Sequence, residues 1–248
     1  MRGLPPGDCP LRLGGRGEGA PAHGTVRYGQ GVSTATNIGC SPESRLIAMK
    51  IIVIGATGTI GSEIVQALTG RHQVVKAGRQ SGDVQVDMTS MDSLRQFFLG
   101  IGSFDAVVCA AGTAKYGSLD ELTDDDYMLS LSDKLMGQVN VVRAGRDYVN
   151  DDGSFTLTSG VLGREPTPRT TAISMVNAAV EAFARAAALE MPRGIRINAV
   201  CPVWATETLK ALGMPLSGGM PAARFVPAYI ESIEGRRTGE TLDVRDFA

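Results

Sequence analysis

The sequence predicts an α/β fold in which seven parallel strands form one doubly wound sheet with helices on both faces. From Lys50 onward, short apolar runs alternate with segments of helical period. The runs, such as those at 51–54 and 106–108, are continuously apolar instead of alternating with polar residues. A strand covered by helices on both faces needs apolar side chains on both, so this pattern is typical of a buried parallel sheet.

The elements follow one another in the order that such a sheet requires, because a parallel strand is reached only after a crossover, usually a helix. The strands are predicted at 50–54, 73–77, 83–86, 104–109, 154–158, 195–200 and 240–244. The helices are predicted near 59–69, 91–100, 124–149, 172–191, 205–212 and 222–234.

The first 48 residues differ in composition from the rest, with 10 Gly, 5 Pro and no Lys. Such a segment buries too little apolar surface to order itself. Met49 stands one residue before the first predicted strand. We therefore expect 1–48 to be a disordered leader or the product of a misassigned start, and 49–248 to form a single domain. An organelle transit peptide is the alternative, although the Gly and Pro content opposes an amphipathic helix.

Charge and cysteine content exclude several classes of function. The chain has 24 basic and 26 acidic side chains, which gives no basic surface for nucleic acid or an anionic membrane. No run of about 18 apolar residues is present, so no membrane span is expected. With two His and no CxxC pair we expect no metal site, and free thiols in a reducing cytoplasm. A small-molecule substrate fits this chain best.

Three glycines follow the first strand at intervals of three residues, at Gly55, Gly58 and Gly61. In a phosphate-binding turn the first makes the turn, the second lets the backbone approach a diphosphate, and the third lets the helix pack on the strand. The N-terminus of the following helix would then face the anion. The sequence therefore predicts a dinucleotide site here. The other contacts expected from this turn are those of Thr57, Thr59 and Ile60.

Further landmarks follow in order along the chain. They are Gly78-Arg79 after the second strand, Asp87 after the third, Cys109-Ala110-Ala111-Gly112 after the fourth, Ser159 after the fifth, the helix start at 177–183, the segment 195–202 and Thr238-Gly239. In this order they resemble the short-chain dehydrogenase/reductase family from about Lys50 to Val244. The resemblance implies a Rossmann-type NAD(P)-binding domain over 49–248 and an oxidoreductase acting on a small carbonyl or alcohol.

The resemblance also implies roles for individual cofactor residues. Ala110, Ala111 and Gly112 would be small because the backbone passes the adenine ribose, although a tight core turn is an alternative explanation. Asp87, with Met88 beside it, would accept a hydrogen bond from the adenine amino group, or would instead cap a helix. The remaining cofactor contacts implied by the family are those of Asn177, Pro202 and Thr206, with Thr208 as the alternative to Thr206.

Arg79 bears on the choice between NADP and NAD. An acid near the end of the second strand would bind a ribose diol, but Lys76, Arg79 and Gln80 stand there instead. A guanidinium can pair with a 2′-phosphate through two hydrogen bonds, so the sequence favours NADP, with NAD as the alternative. An ordinary surface arginine is the other explanation.

The resemblance fails at the catalytic residues. Reductases of the family use a Ser-Tyr-Lys trio, in which Tyr is the general acid or base and Lys lowers its pKa. Aligning the Asn-Ala-Ala-Val-Glu segment places Asn177 at the Lys position and Ile173 at the Tyr position, so only Ser159 remains. Lys134 stands where the family usually has an active-site Asn. We expect an atypical site in which Ser159 holds the carbonyl and Lys134 or a water supplies the proton.

Other interpretations remain open at this point. Tyr116 and Lys115 are further candidates for the missing group, although a packed aromatic and a solvated lysine are the simpler explanations. A non-catalytic dinucleotide-binding sensor or partner subunit is the alternative function. The helices at 124–149 and 172–191 carry small and apolar residues, for which the resemblance implies a homo-oligomer interface, although burial inside the monomer explains part of the same pattern. Residues 203–225 are expected to close the cleft.

Overall fold

The computed structural model describes residues 48–248, and these contain a seven-stranded sheet. The strands are β1 (Lys50–Ile54), β2 (Gln73–Gly78), β3 (Val84–Gln85), β4 (Phe104–Cys109), β5 (Val149–Thr158), β6 (Arg196–Cys201) and β7 (Thr241–Asp243). Their order is β3-β2-β1-β4-β5-β6-β7, and every neighbouring pair is parallel. The doubly wound α/β fold that the sequence predicts is confirmed.

Helices connect most of the consecutive strands and cover both faces of the sheet. They are α1 (Thr59–Leu68), α2 (Met91–Ile101), α3 (Asp124–Ser130), α4 (Gly137–Gly145), α5 (Thr171–Ala188), α6 (Thr206–Ala211) and α7 (Val226–Glu234). A π-helical turn at Leu131–Met136 joins α3 to α4, and it is called the π turn below. Short 3₁₀ turns lie at Val161–Gly163, Ala222–Phe225 and Val244–Phe247.

Strand β1 shows how the sequence produces two apolar cores. Its side chains alternate between the faces of the sheet, and four of its five residues are buried. Ile52 and Ile54 pack in a core with side chains of α2, α4 and α5, whereas Ile51 and Val53 pack with side chains of α1 and α7. Apolar side chains are therefore needed at consecutive positions, which explains the continuous apolar run.

Phe98 of α2 lies inside the first of these cores and is fully buried. Its ring centroid is 5.1 Å from that of Phe97 and 5.4 Å from that of Phe104. We expect Phe98→Ala to lower the free energy of unfolding by about 3–5 kcal/mol, because it leaves a cavity. Chemical denaturation followed by circular dichroism measures this. Leu99→Ala is the matched control, since Leu99 is 71% exposed, and equal losses in the two variants would contradict the packing described here.

The prediction of one helix over 124–149 is wrong in two respects. The π turn interrupts it, and the helix ends at Gly145, so that Val149 already pairs with Phe104 in the sheet. A Cβ at Gly145 would lie 2.9 Å from the Phe98 ring, so the glycine lets α4 pack closely on α2. The backbone N–H of Tyr148 then donates to the Gly145 carbonyl and turns the chain into β5.

The expectation that 1–48 form a leader or a misassigned start lies outside the described residues, apart from Ala48. Within the described part of the chain, no helix has the length and apolar character needed to cross a bilayer. The same 201 residues, 48–248, contain no cluster of three or more potential metal ligands. Cys109 and Cys201 are buried free thiols, whereas Cys9 and Cys40 lie outside the described residues.

Candidate functional site

Two neighbouring cavities lie at the carboxyl ends of the strands. The strand order reverses beside β1, with β2 and β3 on one side and β4 to β7 on the other. In doubly wound sheets, ligands bind outside the strand ends at this point. The first cavity, of about 460 Å³, is called the glycine-turn cavity and is lined by residues that include Gly55, Gly58, Arg79, Ala110 and Asp133. The second, of about 150 Å³, is called the lysine cavity and is lined by residues that include Lys134, Ser159, Asn177 and Trp204.

The three glycines of the turn after β1 have different structural roles. Gly55 has a φ of +85°, and a Cβ there would lie 2.6 Å from the carbonyl oxygen of Ala110. A Cβ at Gly61 would overlap the carbonyl oxygen of Gly55. At Gly58 the φ is −76°, and within residues 48–248 a Cβ there would meet only the Gly55 oxygen, at 3.3 Å. The fold therefore needs the first and third glycines, while the second borders open space.

Helix α1 begins beside that open space with its first N–H groups uncapped. Its N-cap is Gly58, which has no side chain, and its first turn contains no acidic residue. Free N–H groups and the helix dipole make such a terminus suitable for an anion. Of the residues predicted to contact a cofactor from this turn, Thr57 lines the glycine-turn cavity and Ile60 lines the lysine cavity. Thr59 is the first residue of the helix and lines neither.

The loop after β4 passes close to the π turn. Ala110, Ala111 and Gly112 all line the glycine-turn cavity, as the predicted adenine-ribose contact requires. Gly112 has a φ of +128°, and a Cβ there would lie 2.9 Å from the Cα of Lys134. A side chain at this position would push the π turn away from the loop. The glycine therefore fixes the distance between the two backbone segments that separate the cavities.

The π turn directs two consecutive charged residues into different cavities. Asp133 lines the glycine-turn cavity and Lys134 lines the lysine cavity, and each is only 8% exposed. π-Helical turns are rare and are often found at functional sites. The turn thus supplies one buried carboxylate to the first cavity and one buried amine to the second.

Arg79 is held by two carboxylates at the edge of the glycine-turn cavity. Its Nη2 donates to Oδ2 of Asp133 at 2.9 Å and to Oδ1 of Asp87 at 3.3 Å. The hydrogen bond to Asp133 is the main cause of a raised pKa of Arg79. Oδ1 of Asp133 also accepts from the backbone N–H of Thr113 at 2.8 Å. The arginine is therefore oriented by protein groups, although its side chain is 51% exposed.

Asp87 lies beside the glycine-turn cavity, and its neighbour Met88 is part of the wall. Oδ1 of Asp87 accepts from Oγ1 of Thr89 at 2.7 Å and from its backbone N–H at 3.0 Å, and these bonds lower the pKa of Asp87. Helix α2 is capped by Ser90 instead, whose Oγ accepts from the N–H of Ser93. The alternative of a helix cap at Asp87 is therefore wrong, and its adenine contact stays a prediction.

Lys134 is the charged residue of the lysine cavity. Its Nζ donates to the carbonyl oxygens of Thr158 and Ser159, both at 3.4 Å. Within residues 48–248 no hydrogen bond or ion pair joins this nitrogen to a carboxylate. Burial lowers the pKa of Lys134 to about 8. The amine can therefore give up or take up a proton near neutral pH, as a general acid or base must.

Ser159 lines the lysine cavity, but its hydroxyl faces other acceptors. Its Oγ lies 3.0 Å from Oε1 of Glu181 and 3.2 Å from the carbonyl oxygen of Val200. Glu181 is buried and also accepts from Nε of Arg164 at 3.0 Å. Because a hydroxyl has one proton, Oγ of Ser159 is left to act mainly as an acceptor toward any ligand.

Asn177 lines the same cavity and has a buried side-chain oxygen without a hydrogen-bond partner in residues 48–248. The residue is 2% exposed, and its Oδ1 has no hydrogen-bond partner in the described part of the chain. A buried acceptor without a partner costs about 1–3 kcal/mol, unless a ligand or water donates to it. A Cβ at Gly160 would lie 2.8 Å from Nδ2 of Asn177, so a glycine is needed to leave the amide in this place. Ile173 and Pro202 form apolar parts of the same wall.

Aromatic side chains form the outer wall of the lysine cavity. The ring centroids of Tyr116 and Trp204 are 5.6 Å apart, and both residues line the cavity. Burial raises the pKa of Tyr116. Thr208 also lines the cavity, whereas the hydroxyl of Thr206 donates to Glu207 and is not part of the wall. Of the segment 203–225, the residues that line the cavity are Val203, Trp204, Ala205 and Thr208, and closure of the cleft by the rest of the segment stays a prediction.

Comparison with known proteins agrees with this architecture. A family model described as enoyl-(acyl carrier protein) reductase matches residues 48–241. Hydroxynaphthalene reductase arp2 from Aspergillus fumigatus is 27% identical over 194 residues, which cover 76% of this chain and 63% of that protein. Oxidoreductase UcpA from Escherichia coli is 26% identical over 151 residues, which cover 59% of this chain and 57% of that protein. The chain therefore spans less than two thirds of the length of these relatives.

Solved structures match over the sheet and its helices. The protein lin1944 from Listeria innocua is 44% identical with a TM-score of 0.77, covering 79% of this chain and 100% of that one. A small-chain dehydrogenase in complex with NADPH is 27% identical with a TM-score of 0.71, covering 79% of this chain and 96% of that one. Because the family model matches most of the chain, we conclude that the chain belongs to the short-chain dehydrogenase/reductase family.

Proposed function

We propose that this protein is an NADP(H)-dependent oxidoreductase that acts on a small carbonyl or alcohol substrate. The observation that carries the proposal is the turn after β1, where Gly58 borders open space beside the uncapped N-terminus of α1. A diphosphate needs this combination of free N–H groups and room for close backbone approach. The NADPH complex of a 27% identical small-chain dehydrogenase supports the choice of cofactor.

The residues of the glycine-turn cavity fit the adenosine and diphosphate parts of a dinucleotide. Thr57, Gly58 and the first N–H groups of α1 are placed for the diphosphate. Met88 and the small residues at 110–112 leave room for the adenine and its ribose. Arg79 is the candidate for the 2′-phosphate, which is why we propose NADP over NAD.

The residues of the lysine cavity fit the nicotinamide part and a small substrate. The unpaired Oδ1 of Asn177 is an acceptor for a ribose hydroxyl, and Pro202 lies in the same wall. A contact from the hydroxyl of Thr206 stays part of the proposal, with Thr208 as the neighbour that already lines the cavity. When bound, the nicotinamide supplies or accepts the hydride.

Lys134 supplies the proton to the carbonyl oxygen in this proposal. The amine is buried, is free of carboxylate partners in the described chain and has a pKa of about 8, so its proton is available at neutral pH. In alcohol oxidation the single hydroxyl proton of the substrate passes to the neutral amine of Lys134. The proton of Ser159 Oγ is engaged by Glu181 or Val200, so Ser159 holds the carbonyl oxygen only when this proton turns toward the ligand. We propose that Lys134 and Ser159 together replace the trio that the family uses.

A non-catalytic dinucleotide-binding sensor or partner subunit is the second candidate. The sequence alignment favours it, because it places Ile173 and Asn177 at the Tyr and Lys positions of the family's reductases. An assay of NADPH oxidation with a panel of small aldehydes and ketones separates the two functions. We expect oxidation that depends on the carbonyl compound. Binding of NADPH without oxidation by any member of the panel would favour the sensor or partner subunit instead.

The pH dependence of turnover should follow the amine of Lys134. Carbonyl reduction needs the protonated amine, so kcat for reduction should fall as the pH rises through about 8. Alcohol oxidation needs the neutral amine, so its kcat should rise through the same value. Steady-state rates measured in both directions between about pH 6 and 10 test this. Lys115→Met is the control that should leave both profiles unchanged, and profiles without a step near 8 in the wild type would contradict the assignment.

We also propose that the protein forms a homo-oligomer through the helices that flank the π turn and through α5. Exposed methionines lie on α3, on the π turn and on α5, with Met128 59%, Met136 39% and Met175 41% exposed. Methionine is common at adaptable apolar contacts, and an apolar surface of this kind is typical of an interface.

A further inference from the structure

We infer that Asp133 is a specificity-determining residue that acts through Arg79 to weaken the preference of the glycine-turn cavity for a 2′-phosphate. The inference rests on the proposed function, since it concerns the choice between NADPH and NADH. It extends that function by assigning a role to a buried carboxylate on the π turn.

The geometry places Asp133 between the loop after β4 and the end of β2. Its side chain is 11% exposed, and each of its oxygens has a partner. Oδ1 accepts from the N–H of Thr113 at 2.8 Å, and Oδ2 accepts from Nη2 of Arg79 at 2.9 Å. Asp133 and Arg79 line the same cavity. A ligand that pairs with Arg79 through Nη2 must therefore compete with Asp133.

The charges at this edge of the cavity give the direction of the effect. Arg79 contributes one positive charge, while Asp87 and Asp133 contribute two negative charges, so the three side chains together carry −1 at neutral pH. A phosphate monoester carries between −1.5 and −2 near pH 7, whereas a ribose diol is neutral. Asp133 consequently disfavours the phosphate and has little effect on the diol. Without its charge, the three side chains would carry no net charge.

Asp133 is a better candidate for this role than Asp87. Asp87 is 41% exposed, its contact with Arg79 is longer at 3.3 Å, and its Oδ1 already accepts two hydrogen bonds from Thr89. Water screens an exposed ion pair, while a nearly buried carboxylate interacts more strongly with its partner. The pair of Asp133 and Arg79 should therefore dominate the discrimination.

The test uses Asp133→Asn in the full chain, since asparagine keeps the size of the side chain and an acceptor for Thr113 but removes the charge. Dissociation constants for NADPH and NADH are measured by the fluorescence of the reduced nicotinamide. We expect the ratio of the NADH constant to the NADPH constant to rise about tenfold, equivalent to about 1.4 kcal/mol. Asp133→Ser, which also keeps an acceptor, serves as the second variant if the first folds poorly.

Two further variants show whether the effect passes through Arg79. In the Arg79→Gln background, adding Asp133→Asn should change the ratio of the NADH constant to the NADPH constant by less than about twofold. The reason is that the effects of substituting two residues that act through the same contact are not additive. Asp92→Asn is the matched control for net charge, since Asp92 is 85% exposed and, in the described part of the chain, pairs only with Arg95. It should leave the ratio unchanged.

The outcomes separate this inference from the function on which it rests. If the wild type bound both nucleotides and Asp133→Asn left the ratio unchanged, the role of Asp133 would be rejected. An equal rise in the Arg79→Gln background would reject the action through Arg79. If the wild type bound neither nucleotide, the proposed function would fail and this inference with it.

Discussion

Lys134→Met is expected to lower kcat for carbonyl reduction by about 10²- to 10⁴-fold, the range for loss of a positioned proton donor. Lys134 is the charged residue of the lysine cavity, and its Nζ has only the carbonyls of Thr158 and Ser159 as partners in residues 48–248. Methionine has a similar length and no proton to give. Steady-state NADPH oxidation with a carbonyl substrate measures the loss, and the dissociation constant of NADPH should change far less than kcat.

The loss of activity in this variant should not come from unfolding. A buried amine without a carboxylate partner pays a desolvation cost, so an apolar side chain of the same length should leave the protein at least as stable. Lys134→Arg is the matched control, because it keeps the charge but does not titrate near neutral pH. Wild-type turnover by Lys134→Met would show that the proton comes from elsewhere. Tyr116→Phe would then be the variant to test next, since Tyr116 lines the same cavity.

Gly58→Leu is expected to weaken nucleotide binding by about 100-fold or more, equivalent to about 2.7 kcal/mol, while the fold is retained. The backbone at Gly58 has a φ of −76°, which any residue adopts, and a Cβ there meets only the Gly55 oxygen, at 3.3 Å. The leucine side chain would extend into the glycine-turn cavity and fill the space beside the N-terminus of α1. Calorimetric titration with NADPH measures the affinity, and circular dichroism checks the fold.

Two other glycines provide the controls for this variant. Gly61→Leu should destabilise the protein, because a Cβ there overlaps the Gly55 carbonyl. Gly100→Leu should change neither affinity nor fold, since nothing lies within 4 Å of a Cβ at Gly100 on α2. Affinity equal to that of the wild type in Gly58→Leu would contradict the assignment of the turn to a diphosphate.

The sheet could be predicted from the sequence because burial on both faces requires a continuous apolar run, which is easily recognised. Ile51 to Ile54 all face an apolar core, so no polar residue is allowed among them. The apolar pattern of strand β5 is less complete. Its first residue, Val149, is followed by exposed polar residues at 150–152, so the strand was recognisable only from 154 onward. The π turn could not be recognised from the sequence, because the segment 131–136 has the composition of an ordinary α-helix.

The candidate site could be predicted only in part for a related reason. The glycines and Lys134 stand at fixed spacings within one or two elements, and spacing is visible in the sequence. The partners of these residues come from distant elements: Asp133 meets Arg79 across 54 residues, and Ser159 meets Glu181 across 22. One signal was available for Glu181, since an acid on the face of α5 that is apolar apart from Asn177 is unusual and indicates a buried partner.

Trp204 was missed, and Thr208 was named only as the alternative to Thr206, because the wall of the lysine cavity depends on how the segment after β6 folds. Ala205 and Met220 pair in an isolated bridge, and the N–H of Met220 donates to the carbonyl of Trp204. These contacts bring Trp204 against Tyr116. Loop conformation of this kind has no periodic pattern, so the sequence predicted that the segment covers the cleft but not which side chains do so.

Titration of the full wild-type chain with NADPH, followed by the fluorescence of the reduced nicotinamide, is the most direct test of the account. We predict saturable binding of one molecule for each chain, with a dissociation constant on the order of 1–100 μM. A titration up to about 1 mM NADPH detects even weak binding, with a binding free energy of about −4.1 kcal/mol. Absence of saturable binding over this range would contradict the assignment of the glycine-turn cavity to a dinucleotide.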